Sequence, residues 1–129
     1  MSTYTPPYQI LVVDDDPFFT GLITDLLELD GHMVSCVTDG ISAIKLLEHY
    51  QPDLIITDIL MPNMNGVDLI LALSRNDSHI PIIATSGGRR AISPDFSLES
   101  AKLLGVTTTI SKPFTRKELQ QAIRVAMIS

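Results

Sequence analysis

The chain has 129 residues, of which 45% are hydrophobic and 19% charged, and its formal net charge is -6. This length and composition are typical of one globular domain with a substantial core. The acidic balance argues against non-specific nucleic-acid binding, because the sequence has no basic stripe to contact phosphates. Since no apolar run is long enough to span a membrane and residues 1–8 lack the features of a signal peptide, a cytoplasmic protein without a membrane partner is predicted.

The start of the chain divides into an arm and a buried strand. Residues 1–8 include two adjacent prolines and are predicted to form a flexible N-terminal arm, with one domain over residues 9–129. The first predicted strand, Gln9 to Asp14, is an apolar run that ends in three consecutive aspartates. A continuous apolar run is typical of a strand that is buried on both faces of a parallel sheet.

Helix signals occur at three places along the chain. Asp16 and Pro17 predict an N-cap followed by a first-turn proline, Asp39 predicts the cap of a second helix, and Thr115 with Glu118 predicts a capping box on the last helix. Apolar residues at helical spacing predict the buried faces of these helices. They are Phe19, Leu22, Ile23, Leu26 and Leu27 in the first helix, Ile41, Ile44 and either Leu46 or Leu47 in the second, and Leu119, Ala122, Ile123, Ala126 and Met127 in the last.

The remaining pattern completes an alternation of strands and helices. Further strands are predicted at residues 33–37, 53–58, 81–85 and 106–111, and further helices at about 67–75 and 97–104, with an irregular loop over 87–96. Alternation of five strands with five helices at short spacing predicts the α/β class, with a doubly wound parallel sheet. The single cysteine, Cys36, is predicted to be a small buried hydrophobic residue.

Polar side chains collect at the carboxyl ends of four predicted strands, where ligands bind in open α/β sheets. Asp14 and Asp15 follow the first strand, Asp58 ends the third, and Ser86 and Lys112 follow the fourth and fifth. Two carboxylates about 4 Å apart repel by roughly 4 kcal/mol at an effective dielectric near 20, so a bound cation, a lysine or a raised pKa is expected to offset the repulsion. Hard oxygen ligands favour Mg²⁺ or Mn²⁺. An aspartate that faces a metal and a lysine can act as a nucleophile toward a phosphoryl group.

These motifs resemble the receiver domain of bacterial two-component response regulators, over about residues 8–128. The matching residues are Val12-Val13-Asp14-Asp15, then Asp58 with Met61-Pro62-Asn63-Met64-Asn65-Gly66, then Ser86, then Lys112-Pro113-Phe114. The resemblance implies a five-stranded, flavodoxin-like sheet in the order 2-1-3-4-5 with helices on both faces. Because the chain ends soon after its last helix, the stand-alone, chemotaxis-regulator-like form of the family is expected.

The resemblance also implies roles for individual residues. Asp58 is the expected phospho-acceptor, while Ser86 and Lys112 are expected to bind phosphoryl oxygens. The implied metal ligands are Asp14, largely through water, and Asp15, Asp58 and the backbone carbonyl of Leu60. The implied phosphodonor is a sensor histidine kinase or a histidine phosphotransfer protein, and an unidentified protein reads the phosphorylated surface. A cis peptide bond is expected between Lys112 and Pro113.

Three positions depart from the family pattern. Thr109 stands where many receivers have an aromatic residue that rotates on phosphorylation, so that rotation cannot carry the signal here. Leu60 and Gly88 stand where polar side chains often orient the water that removes the phosphoryl group. Because neither residue can position a water molecule through its side chain, slow self-dephosphorylation is expected.

Two alternative functions stay open from the sequence. The first is a haloacid dehalogenase-like phosphatase, with Asp14 as nucleophile and Asp16 as acid/base; it leaves Asp58 unexplained, and Phe18 stands where Thr or Val is usual. The second is a receiver-like binding module that acts without phosphorylation. Mass spectrometry after treatment with Mg²⁺ and a small phosphodonor distinguishes these alternatives from a phospho-acceptor switch, which acts on a partner and is not an enzyme in the ordinary sense.

Overall fold

The computed structural model describes residues 7–58, 80–87 and 105–128. The strands are β1 (Gln9–Val13), β2 (Met33–Val37), β3 (Leu54–Asp58), β4 (Ile82–Gly87) and β5 (Thr108–Lys112), and the helices are α1 (Pro17–Leu29), α2 (Gly40–Leu47) and a last helix (Arg116–Ile128). The helices predicted near 67–75 and 97–104, and most of the loop predicted at 87–96, lie outside the described residues. Among the described helices, none has the length and apolar character needed to cross a bilayer.

The five strands form one parallel sheet in the order β2-β1-β3-β4-β5. The register brings the carboxyl ends of the strands to one edge: Val13 lies beside Thr57, Asp58 lies beside Thr85, and Gly87 lies beside Lys112. The α/β class and the strand order implied by the resemblance are therefore confirmed. This edge of the sheet is where the polar residues singled out in the sequence arrive together.

The central strands are buried as their apolar sequences predict. Ile10 to Val13 of β1 and Leu54 to Asp58 of β3 are all buried. One face of the sheet packs against α1 and the last helix in a core cluster of residues that are at least nine-tenths buried. Its members are Ile10, Val12, Ile23, Leu27, Leu54, Ile56, Ile83, Leu119, Ala122, Ile123 and Ala126.

The predicted helix caps are present. The Asp16 carboxylate accepts hydrogen bonds from the backbone N–H groups of Phe18 and Phe19 at the start of α1. In the capping box of the last helix, Thr115 N–H donates to Glu118 Oε1 at 2.8 Å and Glu118 N–H donates to Thr115 Oγ1 at 3.0 Å. Each contact satisfies a backbone donor that a helix end leaves without an intrahelical acceptor, so the local sequence sets where these helices begin.

The cap of α2 is also as predicted, but its buried face is not. Asp39 Oδ1 accepts a hydrogen bond from Ser42 N–H at 2.7 Å. Ile41 is 45% exposed, whereas Ala43 is fully buried. The helix is therefore turned so that the small residue Ala43, and not Ile41, faces the core.

Two further burial predictions are wrong. Leu22 of α1 is 51% exposed, because the core-facing stripe of this helix is centred on Ile23 and Leu27. Cys36 is exposed, because β2 is the outermost strand and pairs only with β1. Its sulfur lies 3.2 Å from the Thr24 hydroxyl oxygen.

Tyr8 belongs to the fold and not to a loose arm. Its N–H donates to His32 Nδ1 at 3.1 Å, its carbonyl accepts from Met33 N–H at 2.9 Å, and its ring stacks on the His32 ring at 5.5 Å between centroids. The ordered domain therefore begins at or before Tyr8, while most of the predicted arm lies outside the described residues.

Candidate functional site

The ends of β1 and β3 bring three aspartates together. Asp14 and Asp15 directly follow β1, and Asp58 is the last residue of β3. One carboxylate oxygen from each lies within 4.8 Å of the others. Asp14 is 1% exposed and Asp58 is 7% exposed, so two of the three negative charges are largely shielded from water. The structure thus brings together the three acidic side chains that the sequence selected.

Lys112, the last residue of β5, reaches this acidic cluster. Its Nζ lies 2.7 Å from Asp14 Oδ2 and 3.4 Å from Asp58 Oδ2. The lysine side chain is only 10% exposed, so both contacts are formed with little water around them. Burying a charge is costly unless it is paired, and these contacts supply the pairing. The carboxylates of the cluster still outnumber the ammonium, which leaves the described part of the site attractive to a further cation.

Asp14 is held by two donors from different parts of the chain. Its Oδ1 accepts a hydrogen bond from Asp16 N–H at 2.8 Å, and its Oδ2 accepts from Lys112. Asp16 itself serves α1 as the N-cap, as predicted. The sharp turn from β1 into α1 therefore fixes the orientation of the Asp14 carboxylate.

The chemistry of the cluster suits a hard divalent cation. The group consists of the carboxylates of Asp14, Asp15 and Asp58 and includes neither cysteine nor histidine. Mg²⁺ is held in proteins by one or two carboxylates together with waters and phosphate oxygens, and Mn²⁺ accepts the same ligands. These residues fit such an ion. Leu60, whose carbonyl is the fourth ligand implied by the resemblance, lies outside the described residues.

Close approach of β4 and β5 sets the position of Lys112. Gly87 has a φ of +93°, and a Cβ atom built on it would lie 2.9 Å from the Lys112 carbonyl oxygen. Any side chain at Gly87 would push this backbone away, so only glycine fits without displacing the lysine. Ser86, one residue earlier, is 5% exposed and lies at the same edge of the sheet. The peptide bond between Lys112 and Pro113 is cis, as expected.

An aromatic pair borders the site, and the sequence patterns did not assign it this role. The Phe19 ring lies under the Lys112 ammonium, with 4.0 Å from Nζ to the ring centroid. Phe114 meets Phe19 edge-on, at 5.8 Å between centroids and an angle of 86°. Helical spacing alone had assigned Phe19 to the core face of α1. The informative signal was its place in the first turn of a helix that begins at the acidic cluster.

A cleft of about 240 Å³ joins the charged and aromatic parts of the site. Its walls include the charged residues Asp15, Asp58 and Lys112 and the apolar residues Phe19, Leu26 and Phe114. The cleft is therefore acidic at the sheet edge and apolar along α1.

The chain belongs to the response regulator receiver family, since the family profile for the response regulator receiver domain matches residues 10–124. It is similar to the DNA-binding response regulator MtrA of Mycolicibacterium smegmatis, with 34% identity over 119 residues that cover 92% of this chain and 50% of that protein. It thus spans about half the length of MtrA.

Solved structures agree with this assignment. The signal receiver domain of a signal transduction histidine kinase from Syntrophus aciditrophicus matches with a TM-score of 0.82 and 28% identity, over 94% of this chain and 90% of that one. The chemotaxis response regulator CheY4 of Vibrio cholerae matches with a TM-score of 0.78 and 27% identity, over 92% and 98%. The family is one of phospho-acceptor signalling domains in two-component systems, so the resemblance seen in the motifs is confirmed and the phosphatase alternative is set aside.

Proposed function

We propose that this chain is a phospho-acceptor switch in which Asp58 receives a phosphoryl group from a sensor histidine kinase or a histidine phosphotransfer protein. The observation that best supports the proposal is the placement of Lys112 Nζ at 2.7 Å from Asp14 and 3.4 Å from Asp58, inside the acidic cluster. An ammonium at this point can bind a phosphoryl group on Asp58 without leaving Asp14.

Mg²⁺, or Mn²⁺ in its place, is the proposed cofactor. Asp15 and Asp58 are the proposed direct ligands, together with the carbonyl of Leu60. Asp14 is proposed to act largely through water, because both of its oxygens already accept hydrogen bonds, from Asp16 N–H and from Lys112. When bound, the ion neutralises charge on the phosphoryl group that is transferred.

In the proposed transfer, a carboxylate oxygen of Asp58 attacks the phosphorus of the donor phosphohistidine. The new O–P bond forms as the P–N bond breaks, and the electron pair of that bond remains on the donor imidazole. Lys112 binds one phosphoryl oxygen through its ammonium, and Ser86 donates its hydroxyl hydrogen to another. Positioning of groups and stabilisation of charge account for most of the catalysis in such a transfer.

The output is proposed to be a change in protein binding. Thr109 of β5 has no aromatic ring, so the relay from Ser86 to the surface has to use other groups. The net charge of -6 favours a protein partner over nucleic acid, although the name of MtrA records DNA binding for that longer relative. The cytoplasm, where the family generally acts, is the proposed compartment.

The test is intact-mass spectrometry of the purified protein after incubation with acetyl phosphate, with and without Mg²⁺. We expect the addition of one phosphoryl group, dependent on Mg²⁺, that maps to Asp58 and is absent from Asp58→Asn. Asp53→Asn is a matched control, because Asp53 is an exposed aspartate that directly precedes the same strand, at the end opposite Asp58. No adduct on the wild-type protein would instead support a binding module that acts without phosphorylation.

Slow self-dephosphorylation is a further part of the proposal. It rests on the sequence alone, because Leu60 and Gly88 lie outside the described residues. Leu60→Asn or Gly88→Glu is expected to accelerate loss of the phosphoryl group by supplying a side chain that can orient water. Decay of the wild-type phosphoprotein within seconds in Mg²⁺ buffer would contradict this part and leave the phospho-acceptor role intact.

A further inference from the structure

We propose that Phe19 is a positioning residue for Lys112, whose ammonium it holds between Asp14 and Asp58 for phosphoryl transfer. The inference rests on the proposed function, because it assigns Lys112 a task in that transfer. The helical pattern of α1 explains why Phe19 is apolar, but it does not explain why an aromatic ring lies under the lysine.

In the described part of the site the ammonium contacts two carboxylates and one aromatic ring. Its Nζ is 2.7 Å from Asp14 Oδ2, 3.4 Å from Asp58 Oδ2 and 4.0 Å from the centroid of the Phe19 ring. The face of an aromatic ring carries partial negative charge and attracts a cation, more strongly when water is excluded. Because the lysine side chain is only 10% exposed, this attraction acts in a largely dehydrated environment.

A ring suits this position better than a third polar acceptor. A further carboxylate would add negative charge to a cluster that already has three, and its directional hydrogen bond would fix the lysine in one place. The attraction of a cation to a ring face has little directional preference within the plane of the ring. The Lys112 ammonium can therefore adjust its position to bind a phosphoryl oxygen on Asp58, beside Asp14, and remain in contact with the ring.

The Phe19 ring is itself held in place. Its backbone N–H lies 3.5 Å from Asp16 Oδ1 in the N-cap of α1, and its ring packs edge-on against Phe114. Phe114 follows the cis Lys112–Pro113 bond by one residue. Phe19 thus connects the turn that carries Asp14 with the segment that carries Lys112, which is the placement expected of a residue that positions one group relative to the other.

Phe19→Leu keeps an apolar side chain in the helix and removes the aromatic face. We expect it to slow phosphorylation of Asp58 by acetyl phosphate roughly three- to tenfold, the range of a partly dehydrated cation–π contact. Phe19→Tyr keeps the face and should retain most of the rate. Phe18→Leu is the matched control, since Phe18 is the adjacent residue on α1 and its side chain is 80% exposed.

A second measurement separates an electrostatic role from simple packing. Mono-, di- and trifluorophenylalanine at position 19 keep the shape of the ring and progressively weaken the negative charge on its face. The phosphorylation rate should fall in that order. A rate that is the same for the three fluorinated rings, or a Phe19→Leu rate equal to that of the wild type, would overturn the inference.

The contact can also be tested without phosphorylation. In the wild-type protein the ring current of Phe19 should move the NMR signals of the Lys112 ε-protons upfield, and Phe19→Leu should remove that shift. If the wild type shows the shift but forms no adduct on Asp58, the proposed function fails and the contact stands. If the wild type forms the adduct but shows no such shift, the positioning role fails and the proposed function stands.

Discussion

The two ends of the sheet use charged side chains differently. At the carboxyl end, Asp14, Asp15 and Asp58 meet one ammonium, that of Lys112. Near the amino end, where β1 and β2 begin, the Asp30 carboxylate is surrounded by donors from the last helix. There Asp30 accepts hydrogen bonds from the Arg116 guanidinium, whose Nε lies at 3.1 Å, and from the Gln120 amide, also at 3.1 Å.

Charges near the amino end stabilise one another. The Arg116 guanidinium holds the pKa of Asp30 below its ordinary value, and Asp30 in turn raises the pKa of Arg116. Next to them, His32 is 9% exposed, and its Nδ1 accepts the hydrogen bond from Tyr8 N–H. Burial lowers the pKa of His32, which favours the neutral ring that this hydrogen bond requires.

The contrast shows where stability has been exchanged for function. Near the amino end, the paired charges of Asp30 and Arg116 connect α1 with the last helix and need no ligand. The carboxyl end concentrates like charges that one lysine offsets only in part, which costs free energy of folding and would make a bound cation stabilising. Active sites commonly keep such destabilising arrangements, because the chemistry needs them. Changes to a carboxylate should therefore have opposite effects at the two ends.

The largest expected effect is on metal binding. Asp15→Asn removes one negative charge and a proposed direct ligand, so the affinity for Mg²⁺ should fall by on the order of 100-fold. Phosphorylation by acetyl phosphate should fall with it. Isothermal titration with Mg²⁺ measures the change, and Asp30→Asn, which alters a carboxylate at the other end of the sheet, should bind Mg²⁺ as the wild type does. An unchanged affinity in Asp15→Asn would refute the assignment of this residue as a ligand.

The next effect is on stability. In metal-free buffer, Asp58→Asn should raise the free energy of unfolding by about 1 kcal/mol, because it relieves repulsion in the acidic cluster. Asp30→Asn should lower it by about 1 kcal/mol, because it weakens the contacts with Arg116 and Gln120. Urea unfolding of both variants and the wild type measures the two changes. Changes of the same sign would remove the distinction between the two ends.

Adding Mg²⁺ should reverse the order of stability between Asp58→Asn and the wild type. A ligand that binds only the folded state stabilises that state. The gain grows with the logarithm of the ratio of the ligand concentration to its dissociation constant. The wild type should therefore gain stability as Mg²⁺ is added, and Asp58→Asn should gain less. Equal gains would show that Asp58 contributes nothing to metal binding.

The acidic site was easier to predict from the sequence than the contacts of Asp30 with Arg116 and Gln120. Asp14 and Asp58 each follow an apolar run, and Lys112 ends a threonine-rich strand, so strand order alone brings them to one edge of a parallel sheet. In contrast, Asp30 is separated from Arg116 by 86 residues and from Gln120 by 90, and no local pattern connects them. Their pairing depends on how two helices pack on the same face of the sheet.

The position of a strand at the sheet edge and the rotation of the helices explain why some predictions of buried residues were wrong. Cys36 lies in an apolar segment, but that segment became the outermost strand, so one side of it has no neighbouring strand. Leu22 and Ile41 fit the helical spacing, yet each lies at the margin of its helix face. Hydrophobic spacing predicts which face of a helix is buried to within about one residue step, which is 100° of rotation.

The smallest expected effect concerns pH and the amino end. The pKa of His32 lies below its ordinary value of 6.5, with burial as the main cause and the nearby Asp30 charge acting in the opposite direction. The unfolded chain therefore binds the proton more readily than the folded one. The contribution of neutral His32 to the free energy of unfolding is fully present above pH 6.5. It is lost as the pH falls through the lowered folded-state pKa.

We expect the free energy of unfolding to fall by less than about 1 kcal/mol as the pH is lowered from about 7 to about 5, and His32→Phe to remove most of this slope. Phenylalanine can keep the stacking on Tyr8 but cannot accept its N–H, so the variant should also be less stable at neutral pH. His49→Gln, a change at an exposed histidine, should keep the wild-type slope. Protonation of Asp30, which weakens its contacts, occurs in a separate pH range. That range lies below the ordinary pKa of 3.8, because the pKa of Asp30 is lowered. Urea unfolding at a series of pH values tests the assignment, and parallel curves for His32→Phe and the wild type would show that protonation of His32 is not coupled to folding.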